Sequence, residues 1–171
     1  MIIKEKIGNL SSFNDKGRSI DRLQLEWFET SKRIVHKRTG SGREVILKFL
    51  NSAPNLQQDD VLYADDHCLI VVDILLCETI VIIPGSTYDV AYVCYEIGNK
   101  HLPLFFDENL LLIPFDEPVF KMLQAAGFTV TKQKRKLLNQ LRTSVMPHSH
   151  STEGKSLFSK IMKLTNSPTN E

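Results

Sequence analysis

Only three cysteines occur among the 171 residues, Cys68, Cys77 and Cys94, and none belongs to a Cys-x-x-Cys pair. That excludes a zinc ribbon, a dithiol redox centre and a disulfide-stapled secreted scaffold, and makes a reducing cytosol the natural compartment. Charge of one sign is also lacking. Twenty-one Lys and Arg offset twenty Asp and Glu, a formal net charge of +1, so no global field favours nucleic acid or an acidic membrane. Long apolar runs are missing too. The most apolar stretch, residues 68–84, is interrupted by Asp73 and Glu78 and falls short of the ~18–20 residues a membrane helix needs. The first residues, Met1-Ile2-Ile3-Lys4-Glu5-Lys6, lack the apolar core of a secretory signal, so cytoplasmic localisation is expected. There is no Gly-x-Ser-x-Gly, phosphate-binding loop or dinucleotide glycine pattern. Glu96, Glu108, Asp116 and Glu117 form no evident general acid/base pair.

What is present supports a packed core, since 42% of the residues are hydrophobic. The first half reads as β structure. Leu23, Leu25 and Trp27 alternate with Gln24 and Glu26, the period of a half-buried strand. Residues 33–39 and 43–49 flank Gly40-Ser41-Gly42, which signals a hairpin. A polar loop containing Pro54 follows, then short strands at 61–63 and 69–76. This pattern predicts a small β-rich sandwich or barrel-like domain over residues 1–76.

The second half predicts a strand over 78–83, then a helix from Thr87. Val90, Val93, Cys94 and Ile97 share one face of it, and Gly98 is the expected stop. Strands at 102–106 and 110–115 follow, joined by Asp107-Glu108-Asn109. Asp116 or Glu117 then caps a second helix carrying Pro118 in its first turn, which Gly127 ends before a last strand at 128–131. The β-α-β-β-α-β order is ferredoxin-like, assigned to residues 77–142. Residues 143–171, rich in Ser, Thr, Asn and Lys, read as a flexible tail. The fold class is α+β.

Histidines are the candidate chemistry. His101 follows the expected helix stop, where a rigid corner could present a metal ligand; taken alone, it fits a surface histidine without a role better. His148 and His150, in Met146-Pro147-His148-Ser149-His150, read equally well as tail polarity or as a mobile clamp on an ion held by His101. One imidazole holds a divalent ion poorly, but a two-fold dimer supplies the same residue twice. Imidazole suits nickel, zinc and copper. It binds them as the neutral ring, so affinity falls as pH drops below about 6.5. His36 reads as an exposed strand histidine, and Asp65-Asp66-His67-Cys68 as a turn with ligand-type residues. Lys132, Lys134, Arg135 and Lys136 form a charge run without interleaved aromatics.

At these residues the chain resembles the UreE family of urease accessory proteins. The likeness covers most of the sequence: Met1-Ile2-Ile3 through Gly8-Asn9-Leu10, Leu25-Glu26-Trp27-Phe28-Glu29-Thr30 with Lys32-Arg33, and Asp60-Val61-Leu62-Tyr63. Most specific is Glu96-Ile97-Gly98-Asn99-Lys100-His101, similar to the family's Gly-Asn-(Arg/Lys)-His motif. The resemblance implies an N-terminal domain like a peptide-binding module and a homodimer through the second domain. It implies a non-enzymatic nickel metallochaperone that exchanges metal with the accessory GTPase of the urease system and serves the urease apoprotein complex. By motif, His101 from both subunits would be the ligand, with His148 and, by extension, His150 in addition; zinc is a possible second ion. Only His148 and His150 stand where many members carry a histidine-rich tail, so bulk storage is not expected. Ile113-Pro114-Phe115-Asp116 occupies a place where some members carry histidines, so no secondary site is expected there.

Two rivals belong to other classes. RNA-binding modules share the β-α-β-β-α-β order, but these strands lack their aromatic and glycine pattern. A hydrolase could use His101 and Cys94, yet Cys94 falls on the apolar helix face, where a structural thiol is the default.

Overall fold

The computed structural model describes residues 1–13 and 17–141. It is α+β, mostly strands with two α-helices, in two domains. A three-stranded sheet, in the order β1-β5-β4, contains β1 (Ile2–Ile3), β4 (Ile34–Arg38) and β5 (Glu44–Lys48). A four-stranded sheet, in the order β2-β6-β7-β3, contains β2 (Gly8–Asn9), β3 (Ser19–Leu25), β6 (Asp60–Ala64) and β7 (Cys68–Ile74). The expected hairpin is β4–β5, turned through Gly42 at a φ of 87°, a left-handed conformation that glycine takes without strain. Ile3, Val35, Val45 and Leu47 of the first sheet share one core with Leu23, Leu25, Leu62, Ile70, Val72 and Ile74 of the second. Each fully buried aliphatic side chain contributes roughly 1.5–3 kcal/mol.

Trp27 does not continue the strand that precedes it. A short 3-10 turn over Trp27–Glu29 replaces it, because the Glu29 carboxylate accepts the Glu26 N–H at 2.9 Å and Thr30 Oγ1 donates to the Trp27 carbonyl. Local capping here outcompetes the alternating pattern.

The second half runs β8 (Cys77–Ile83), α1 (Thr87–Asn99), β9 (Leu104–Asp107), β10 (Leu110–Pro114), α2 (Glu117–Ala125) and β11 (Thr129–Arg135). A further strand, β12 (Asn139–Leu141), pairs with β9, giving an antiparallel sheet in the order β11-β8-β10-β9-β12. Both helices pack on one face, where Ile80, Ile82, Val93, Ile97, Leu111, Ile113 and Leu123 are fully buried. On the opposite face Val81, Phe105, Leu112 and Leu137 form a second cluster that Trp27 joins, its ring edge-on to Phe105 at 5.5 Å. Beside it Lys136 Nζ donates to Asp73 Oδ1 at 2.6 Å and to Gln58 Oε1 at 3.3 Å. The N-terminal strands are thereby tied to the C-terminal sheet. No helix among the described residues is long and apolar enough to cross a membrane.

Candidate metal centre

Helix α1 carries His101 to its position. Ser86 caps the helix by accepting the Asp89 N–H at 3.2 Å, and the Asp89 carboxylate accepts the Gly85 N–H at 2.8 Å. Val93 and Ile97 are buried beneath it. The helix passes through Gly98 to Asn99, so Gly98 is not the stop that sequence predicts. The stop is made by His101 itself. Its backbone is left-handed, with φ 54°. The His101 N–H donates to the Gly98 carbonyl at 3.0 Å and the Leu102 N–H to the Ile97 carbonyl at 3.2 Å. That pair of bonds is the Schellman closure, and Leu102 completes it by packing into the core that contains Ile97.

Helix α2 ends in the same way and supplies an internal comparison. Gly127, at φ 85°, donates to the Gln124 carbonyl at 3.0 Å, and Phe128 donates to Leu123 at 3.1 Å. One helix uses the glycine that such a corner favours; the other uses a histidine, at a cost of about 1 kcal/mol. The consequence is a backbone locked on both sides and an imidazole held at an exposed corner.

The surface of α1 that leads to this corner is uncharged. Tyr88, Tyr92 and Tyr95 recur at helical spacing, with Tyr88 75% and Tyr95 69% exposed. Tyr92 stacks on Phe128 at 5.4 Å. Alongside runs a seam of small residues, Thr87, Ala91, Cys94 and Gly98. A Cβ at Gly98 would meet nothing within 4 Å. This glycine therefore serves neither a left-handed turn nor internal packing. Sequence reasoning passed over the tyrosine stripe, although its i, i+4, i+7 spacing was visible.

His36 is exposed on β4, and His67 lies in a turn where the Asp65 carboxylate accepts the N–H groups of His67 and Cys68. Those two bonds draw the Asp65 carboxyl below its ordinary value. No three His, Cys, Asp or Glu side chains converge on a metal-sized site among the described residues. His148 and His150 lie outside the described residues. Any centre at His101 must therefore draw on a second copy, on the remainder of the chain, or on both. Cys94 fits a structural thiol: burial pushes it up, away from the reactive thiolate.

Family models for the N-terminal and C-terminal domains of the UreE urease accessory protein match residues 3–75 and 78–156. Three proteins named urease accessory protein UreE align along the chain. That of Flavobacterium johnsoniae is 48% identical over 96% of this chain and 99% of its own length. That of Haemophilus influenzae strain PittGG is 41% identical over 84% and 80%. That of Helicobacter pylori is 38% identical over 87% and 90%. The chain belongs to the UreE family. The Gly98-Asn99-Lys100-His101 segment, similar to that family's motif in the sequence, is here the closing turn of α1, and its histidine is the left-handed residue.

Proposed function

We propose that this UreE family member is a non-catalytic nickel carrier for urease maturation. It acts in the cytoplasm as a homodimer and exchanges its metal with the accessory GTPase that serves the urease apoprotein complex. The observation that carries this reading is His101: an exposed imidazole on a locked left-handed corner, at the end of an uncharged helix face rich in tyrosine. A second copy packed against that face brings two His101 rings to the two-fold axis. Neutral imidazoles suit nickel, and zinc as well. Two fixed rings are too few for a closed site, so the ion remains accessible and transferable. His148 and His150, which lie outside the described residues, are the further ligands of this reading.

The reading divides the chain between residues 76 and 77, where the first family model ends at 75 and the second begins at 78; the further division at 143 lies outside the described residues. The ferredoxin-like reading of the second domain is supported by its element order and its sheet order, and the sandwich-like reading of the first by the core that its two sheets share. No observation favours the RNA-binding alternative. The helix-free sheet face, which such modules use for stacking, is occupied by Leu137 and Trp27.

Nickel titration of the dimer, comparing the parent chain with His101→Ala, tests the assignment. Loss of the tight site in the variant is expected; retention of full affinity would defeat it.

A further inference from the structure

The outer face of the β1-β5-β4 sheet has an open edge. Strand β4 is at the edge of that sheet and pairs with β5 alone. The register decides which of its backbone groups are used. Phe49 N–H donates to the Arg33 carbonyl and Thr39 N–H to the Arg43 carbonyl. Residues 33, 35, 37 and 39 therefore make the ladder, and the N–H and C=O groups of Ile34, His36 and Arg38 point to the open edge. Among the described residues no backbone bond occupies them.

The same three residues are exposed and share the outer face with Lys48, Ile46 and Glu44, their partners across the hairpin, and with Ile2 beyond. Ile34 is 54% and Ile2 58% exposed, so the face is an apolar patch. Its surroundings are basic. Between residues 32 and 48 there are six Lys or Arg and a single acidic residue, Glu44, in a chain whose net charge is only +1. Glu44 is already taken by Arg38, and Lys37 is taken by Glu29. Arg33 and Lys48 make no ion pair among the described residues. Strand β11, at the edge of another sheet, is a useful contrast: its Lys132 and Arg135 are paired with Glu78 and Asp107.

Open backbone groups, an apolar row and unanswered cations together specify an occupant. We propose that β4 accepts an extended segment of a partner protein as an added antiparallel or parallel strand, and that the segment alternates apolar and acidic side chains. The backbone bonds supply affinity; the apolar residues cover Ile34 and Ile46, and the carboxylates meet Lys48, with His36 on the same face. A nucleic acid is disfavoured because this face offers isoleucines where stacking would need aromatic rings. The inference stands apart from the nickel reading and uses none of its residues.

The test uses the full-length ¹⁵N-labelled chain and an acetylated decapeptide alternating valine and glutamate. Its lysine counterpart, a uridine oligonucleotide and phosphatidylserine-containing vesicles serve as competing probes. Expected are selective binding of the glutamate peptide, slowed exchange of the Ile34, His36 and Arg38 amides, and weakening by about tenfold on raising the salt. Ile34→Pro removes an edge donor without touching the ladder and should weaken binding by about tenfold or more. Lys48→Glu, which keeps every backbone bond, should also lose the preference for the acidic peptide. Nickel binding should be unchanged in both. Equal binding of the lysine peptide, unprotected amides at 34, 36 and 38, or a preference for the oligonucleotide or the vesicles would overturn the proposal.

Discussion

His101 stands where helix geometry favours glycine, and α2 shows what the same corner looks like when glycine is present. Asn55, Asp59 and Glu108 are also left-handed without being glycine, but among these four His101 is the one that closes an α-helix. His101→Gly should therefore leave the fold intact or stabilise it by up to about 1 kcal/mol in urea denaturation, while removing metal binding. Gly127→Ala should cost about 1 kcal/mol by the same argument, with metal binding kept. Sequence pattern alone put the histidine just past the helix end but gave the stop to Gly98. The error has a physical source. A glycine near the end of an apolar stripe signals a stop, but which residue turns left-handed depends on where the Schellman bonds close. Here they close from His101 and Leu102 onto Gly98 and Ile97.

Among the elements, periodicity made the long ones legible. The buried faces of α1 and α2 and the β4–β5 hairpin follow from spacing and from glycine placement. Strands β1, β2 and β12, of two or three residues, have no period to detect and arise only through pairing with distant partners. Helix α1 was legible on its buried side, while its exposed side carries the further information. Gly98 lies inside the helix with open space around it, and costs about 0.5–1 kcal/mol relative to alanine. Gly98→Ala should stabilise the monomer by that amount and, on the proposed dimer, weaken self-association, because the added methyl fills the seam that the proposal gives to the second copy. Chemical denaturation and sedimentation velocity on the same variant separate the two effects. Unchanged self-association would remove this seam from the dimer interface.

On the scale of the whole molecule, contacts at Trp27 and Lys136 join the N-terminal strands to the C-terminal sheet among the described residues. Trp27→Ala removes the ring that covers Phe105 and should cost about 2 kcal/mol, read as a lowered unfolding midpoint. The second contact depends on pH. Burial works against ionisation of Asp73, but hydrogen bonds from Lys136 and Gln58 outweigh it and hold its carboxyl below the ordinary value. A carboxyl lowered in the folded state adds stability above its unfolded pKa, and the gain disappears as pH falls through the folded one. Asp73→Asn should thus cost at most about 1 kcal/mol near neutrality, and parent and variant should converge in strong acid. Neither contact was legible in the sequence. Trp27 looked like one more strand residue and Lys136 like part of a solvated charge run, because their partners are far away along the chain.

The central claim is that two copies of one imidazole hold the cargo ion. Calorimetric titration of nickel into the dimer, with the stoichiometry read per pair of chains and repeated on His101→Ala, examines it most directly. The account predicts one tight ion for each pair of chains, absent in the variant although the variant remains dimeric. An equally tight ion in the variant, or a tight ion for every single chain, would contradict it.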